Sequence, residues 1–186
     1  MLKKLKLNKF FIIGSLILIT GIIKIIIKTN LLNSFSNIEV NNNQLGYNLY
    51  NTKNIMYLKI PKIDLVKNLA DKNSKLNHVD KNIQIIKEST MPNIENGNLI
   101  LAAHSGNSNV SYFKNIDKLI IDDSVYIEYM DKLYEYKVVN YYTVLKNGLV
   151  DIVRNESKTI LTLITCVKNS NRQLVIICEL YKTVNL

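Results

Sequence analysis

Residues 159–178 read Thr159-Ile-Leu-Thr-Leu-Ile-Thr-Cys166, then Val167-Lys-Asn-Ser-Asn171, then Arg172-Gln-Leu-Val-Ile-Ile-Cys178. The outer pieces are apolar and rich in β-branched residues, as buried strands are. The five residues between them are mostly polar and have the length of a hairpin loop. Cys166 therefore ends one strand and Arg172 begins its partner, at one rim of a sheet. A thiol beside a guanidinium makes a candidate site, because the cation can stabilise a thiolate or an oxyanion.

Working outward, short β-rich runs separated by turn signals begin at Ile55. The pattern places strands near 55–60, 64–69, 83–87, 98–103, 124–130, 133–144, 159–165 and 172–181, with helical turns near 74–80 and 111–118. Tyr126-x-Glu128-x-Met130 and Tyr134-x-Tyr136-x-Val138 alternate with period two, as half-buried antiparallel strands do. Asp131-Lys132 between them reads as a tight hairpin without the favoured glycine. Eight short strands at this spacing predict a mainly β fold, a closed or nearly closed eight-stranded barrel with short helices.

The first 54 residues have a different character. Met1–Lys9 carries Lys3, Lys4, Lys6 and Lys9, a short tail expected on the cytoplasmic side. Phe10–Ile27 is strongly apolar with only Lys24 charged, and as a helix would be about 27 Å long, close to the lower limit for a membrane span. Lys24 lies near its far end, where the amine can snorkel. Residues 10–28 are read as a retained N-terminal transmembrane anchor, since no Ala-x-Ala cleavage site follows. This makes a single-pass protein of the cell membrane with the remainder outside. Thr29–Asn54 holds nine asparagines and no proline and reads as a stalk, leaving 55–186 as the functional domain.

The formal charge of +9 does not point to nucleic acid. Six of the 24 basic residues lie in 1–28, where there is no acid, so 18 basic face 15 acidic groups, or +3, in the rest. No basic-aromatic stripe remains there. The two cysteines are no disulfide framework. In the hairpin they lie ~20 Å apart at ~3.3 Å per residue, so both are read as free thiols. Cys166, Cys178, His78 and His104 lack zinc-finger spacing. The loop after His104 has no carboxylate before Asp117, and neither metal nor cofactor is expected.

Of the two thiols, Cys166 is placed to react, at a strand end before a polar loop, whereas Cys178 in Val175-Ile-Ile-Cys178 reads as core. His104 follows Leu99-Ile-Leu-Ala-Ala103 and precedes Ser105-Gly-Asn-Ser-Asn109, so it too sits where a strand gives way to loop. His78 reads as a surface residue. Lys168 is a weaker alternative to Arg172 as the cation. No Asp or Asn that would complete a papain-like triad is evident in the sequence.

Thr162-Leu-Ile-Thr-Cys166 with the following arginine, and Ala102-Ala-His104 upstream, resemble the sortase family of cysteine transpeptidases. The resemblance spans roughly 55–186 and includes Leu58-Lys-Ile-Pro-Lys-Ile63, Gly97-Asn98 and Phe113-x-x-Ile-x-x-Leu119. It implies the same eight-stranded barrel. It also implies Cys166 as nucleophile, His104 as acid and base, Arg172 as oxyanion cation, and Thr165 and Ala103 in the substrate pocket. The family pattern has Gly where this chain has Ala103, and the loop from Cys166 to Arg172 is short. The implied reaction cleaves a Leu-Pro-x-Thr-Gly-like sorting signal and passes the acyl group to an amine on a peptidoglycan precursor or another acceptor. The chain has no second span after Tyr181 and no Asp-Pro-aromatic lid. Those features match a wall-anchoring type with a layout like classes A and D. Two alternatives stand beside it: a cysteine hydrolase whose thioester is resolved by water, and a non-catalytic anchored barrel that binds wall or surface proteins.

Overall fold

A computed structural model describes residues 56–186 and, upstream of them, Thr29. The expected tail, membrane anchor and, apart from Thr29, stalk lie outside the described residues. Among those residues no helix is long and apolar enough to cross a membrane.

The domain is an eight-stranded sheet: β1 (Met56–Ile60), β2 (Leu65–Leu69), β3 (Gln84–Ile85), β4 (Asn98–Ala102), β5 (Ser124–Tyr129), β6 (Lys132–Leu145), β7 (Ile160–Cys166) and β8 (Arg172–Asn185). The spatial order β2-β1-β5-β6-β8-β7-β4-β3 curls it into the nearly closed barrel that the strand count predicts. All neighbours are antiparallel except β4 and β7. Two register shifts bend the long β6–β8 pair, one at Glu135/Tyr136 and one at Val138/Asn140. The extra residues, Tyr181 and Val139, are both exposed, as bulged positions that add local twist can be.

The barrel interior is filled by alternate residues of nearly every strand. Leu58 and Ile60, Leu99 and Leu101, Val125 and Ile127, Leu161 and Leu163, and Ile176 and Cys178 all belong to one buried cluster. Each such aliphatic chain contributes about 1.5–3 kcal/mol on burial. Phe113, Ile116 and Leu119 join this core from the loop side, which accounts for the three-residue spacing of that motif. Gly97 is required by space: a Cβ there would meet the Thr90 hydroxyl and lie 2.9 Å from the Ile94 carbonyl.

Several local expectations need correction. The helical turns are 3-10 turns at Pro61–Ile63 and Ile116–Lys118. The first was not expected, and 74–80 is a series of tight turns. The reason is Asn77, whose side chain accepts from Ile85 N–H and donates to the Lys72 and Ile85 carbonyls. Such side-chain bonds compete with helix formation. Strand β3 is only two residues long. The β5–β6 hairpin turns on Met130 and Asp131, one residue earlier than read, and both have positive φ (49° and 57°). That is the left-handed pair a type I′ turn demands, built here without glycine.

Candidate active site

The parallel pairing of β4 with β7 creates the site. Parallel neighbours end at the same rim, whereas an antiparallel pair would send their C-terminal residues to opposite ends. Ala102 pairs with Ile164, and Ala103 N–H donates to the Ile164 carbonyl at 3.2 Å. Two residues further along each chain come His104 and Cys166. Two side chains stitch this rim: Thr165 Oγ1 donates to the Ala103 carbonyl at 2.7 Å, and Ser105 Oγ donates to the Cys166 carbonyl. The His104 carbonyl accepts from Phe113 N–H at 3.0 Å, so a fully buried aromatic anchors the loop that follows it.

Alternation sets which face each residue uses. Leu161 and Leu163 enter the barrel core, while Ile160, Thr162, Ile164 and Cys166 share the other face. On that face Ile160, Val175 and Ile177 form a second buried cluster, flanked by Tyr142, Val144, Val150 and Ile152. The thiol thus stands on the outer surface of the barrel, at the end of an apolar strip roofed by residues of the β6–β7 loop. Leu149 and Val153 in that loop are largely exposed. Cys166 is half-buried, and Cys178 is fully buried with its thiol pushed up by burial.

Thr165 and Ala103 fall on the core side and are both buried. In this structure they set the spacing of the two strands and offer almost no surface to a solute. Arg172 does begin the partner strand across a five-residue loop, and Val167 N–H donates to its carbonyl at 2.9 Å. The residue directly opposite Cys166, however, is Gln173. The Arg172 guanidinium turns to β6, where Nε donates to Thr143 Oγ1 at 2.7 Å and a terminal nitrogen to the Thr143 carbonyl at 2.8 Å. Among the described residues no hydrogen bond joins the Cys166 thiol to His104 or Arg172. Acid–base groups often close to contact only around substrate.

His104 is partly exposed, and its Nε2 lies 2.8 Å from Asp80 Oδ1. The hydrogen bond from His104 holds the Asp80 carboxyl below the usual carboxylate range against desolvation, and positive charge on His78 or His104 lowers it further. No sequence signal singles out Asp80: it is 24 residues from His104 in a loop whose path depends on Asn77. Thr143 was equally hidden, since only the β6–β8 register brings it to Arg172. Among the described residues no three His, Cys, Asp or Glu side chains gather as metal ligands would.

Comparison with known proteins agrees with this geometry. A sortase-domain family model matches residues 58–181. Sortase A of Listeria monocytogenes superposes with a TM-score of 0.60 at 25% identity, covering 71% of this chain and 90% of that one. A Clostridium perfringens sortase D5 gives 0.59 at 25% identity, with coverage of 69% and 79%. For Streptococcus pneumoniae sortase C the values are 0.62, 23%, 71% and 71%. The comparison with curated proteins gave no match. Because the family model covers two-thirds of the chain, including both strands that carry the thiol and the imidazole, this protein belongs to the sortase family of cysteine transpeptidases.

Proposed function

We propose that this chain cleaves a Leu-Pro-x-Thr-Gly-like sorting signal and transfers the acyl part to an amine of a peptidoglycan precursor or a similar acceptor. The observation that carries the reading is the parallel β4–β7 pair, which brings His104, two residues past β4, and Cys166, the last residue of β7, to one rim. The partly exposed Val144, Val150 and Ile152, packed over the buried strip on the face of Cys166, support a substrate with apolar side chains N-terminal to the scissile bond.

The Cys166 thiolate adds to the substrate carbonyl and forms a tetrahedral oxyanion. As the C–N bond breaks, the imidazolium of His104 gives its proton to the departing amine and leaves a thioester. An incoming amine attacks that thioester, His104 takes its proton, and the thiolate is expelled. The oxyanion needs donors throughout. Thr143 engages two of the five N–H groups of Arg172, and among the described residues no hydrogen bond engages the other three, which leaves them to meet a ligand. The Gln173 amide, opposite the thiol, and backbone N–H groups can add to them.

The lysine-led apolar run at 10–28 is proposed to anchor the chain in the cell membrane, with its N-terminus cytoplasmic and the domain from 55 onward outside. A wall-anchoring role follows from that placement. The test is mass spectrometry of the chain with sorting-signal peptides, with and without an added amine. An adduct on Cys166 and an amide product are expected. Hydrolysis alone in the presence of amine would favour a hydrolase, and no adduct with any peptide would favour a binding module.

A further inference from the structure

The reaction above needs a nitrogen of His104 that can release and take up a proton, and one of the two is already engaged. Asp80 Oδ1 stands 2.8 Å from Nε2. A carboxylate can only accept, so Nε2 carries the hydrogen in the neutral ring and Nδ1 is the bare nitrogen.

The loop that brings Asp80 there is fastened on both sides. Asn77 bonds the Lys72 carbonyl and both backbone groups of Ile85. Asn82 donates to the Asn68 carbonyl at 3.1 Å and accepts from Ile83 N–H at 2.9 Å. Asp80 lies between these two pins, so folding of the barrel sets its position before substrate arrives. The other groups around the carboxylate do not displace His104. Asp80 Oδ2 lies 3.4 Å from His78 Nδ1, but the Asp80 N–H reaches that same nitrogen at 3.3 Å. Nδ1 of a neutral His78 can accept that N–H but has no hydrogen to donate to Oδ2. Lys81 sends its ammonium to the Lys75 carbonyl.

We propose that Asp80 is the positioning residue of His104: it fixes the ring and its Nε2–H tautomer, so that the proton moves through Nδ1. This rests on the acyl-transfer reading for its kinetic consequence but not for its structural one. The test therefore has two arms, both on the full chain. In the first, kcat and KM for acyl transfer are measured for wild type, Asp80→Ala, Asp80→Asn and Asp80→Glu. Asp80→Ala is expected to lower kcat about tenfold or more with KM within about twofold, since a general acid–base residue contributes about 10²–10⁴-fold and loses part of that when misaligned. Glu should recover some of the loss, and the melting temperature should barely move because both partners are at the surface.

In the second arm, ring ¹⁵N shifts report the tautomer of His104. The chain has only two histidines, and His78→Gln identifies their signals. Wild type should show a protonated Nε2 in the neutral ring, and Asp80→Ala should move toward a mixture. Unchanged ring nitrogens in Asp80→Ala overturn the proposal, as does a rise in KM with kcat intact, which would make Asp80 a tether for the loop. If wild type acts on no peptide at all, the acyl-transfer reading fails while the nitrogen shifts still decide the role of Asp80.

Discussion

Thr165 offers the sharpest test of how this rim is held together. Its hydroxyl donates to the Ala103 carbonyl at 2.7 Å in a buried setting, linking the residue before the nucleophile on β7 to the residue before His104, just past β4. Thr165→Val keeps the shape and removes the donor. A typical net hydrogen bond is worth ~1 kcal/mol, and a buried acceptor left without a partner costs about 1–3 kcal/mol. The added methyl group returns part of this by its burial. The expected net loss is about 1–2 kcal/mol. Near this domain size that is roughly 3–10 °C in Tm. Thr165→Ser is the control: it keeps the donor and deletes one methyl, at a cost of about 1 kcal/mol. The kinetic prediction separates the two variants even where their stabilities coincide. Valine should lower kcat/KM for acyl transfer well below serine, because only valine loosens the link between the two site-bearing strands. Urea titration gives the stabilities, and a peptide–amine assay the rates. A valine variant as stable and as active as wild type would refute the reasoning that this bond sets the rim.

Three other outcomes are expected. Arg172→Ala should cut turnover severely with little change in Tm, and Arg172→Lys should restore only part, since lysine lacks the planar fork. Gln173→Ala measured beside them tells which residue serves the oxyanion, and full rescue by lysine would remove the fork from the argument. Cys178→Ala should keep activity within a fewfold and cost ~1 kcal/mol for the small cavity, whereas Cys166→Ala should abolish the adduct; the reverse pattern in a thiol-labelling assay would reassign the nucleophile. The third concerns acid stability. Burial pushes the Glu135 carboxyl up, but Lys182 at 2.8 Å, Ser124 and Lys137 outweigh it and hold it below the usual range. A depressed folded value means the stabilisation is present above the unfolded carboxylate range, about pH 4.3, and disappears as pH falls through the folded value. Glu135→Gln should therefore be less stable than wild type at neutral pH and converge with it in acid.

Strand existence was largely readable: β5 and β6 alternate with period two, while β7 and β8 carry unbroken runs rich in β-branched residues, because the barrel core covers one of their faces and the Ile160, Val175 and Ile177 cluster the other. The Cys166–Arg172 hairpin was readable for the same reason, with a polar loop of five residues between two β-branched runs. Partner choice was not. Nothing in Leu99-Ile-Leu-Ala-Ala103 says that its neighbour is β7, 57 residues downstream, or that the pairing is parallel. The hairpin does fix which strand Arg172 begins, but not which way its side chain turns. A one-residue difference in register puts Gln173 opposite the thiol and sends the guanidinium to Thr143. Asp80 was out of reach altogether, since an exposed aspartate in a loop has no pattern until its loop is folded.

What the resemblance supplied and what the physics supplied meet at one place. Motif matching marks His104 and Cys166 without saying why they should be neighbours, and the fold supplies the reason. A thiol and an imidazole that both lie at the C-terminal ends of neighbouring strands reach one rim only if those strands run the same way, and among the described strands β4–β7 is the single parallel pair. Slipping that pair by one residue would turn one of the two side chains into the barrel interior. Thr165 and Ser105 oppose such a slip, because each bonds a carbonyl of the other strand's end. Conservative changes at these two hydroxyls are therefore expected to act on catalysis through register, and changes at the half-buried Val144, Val150 and Ile152 over the outer strip through substrate binding.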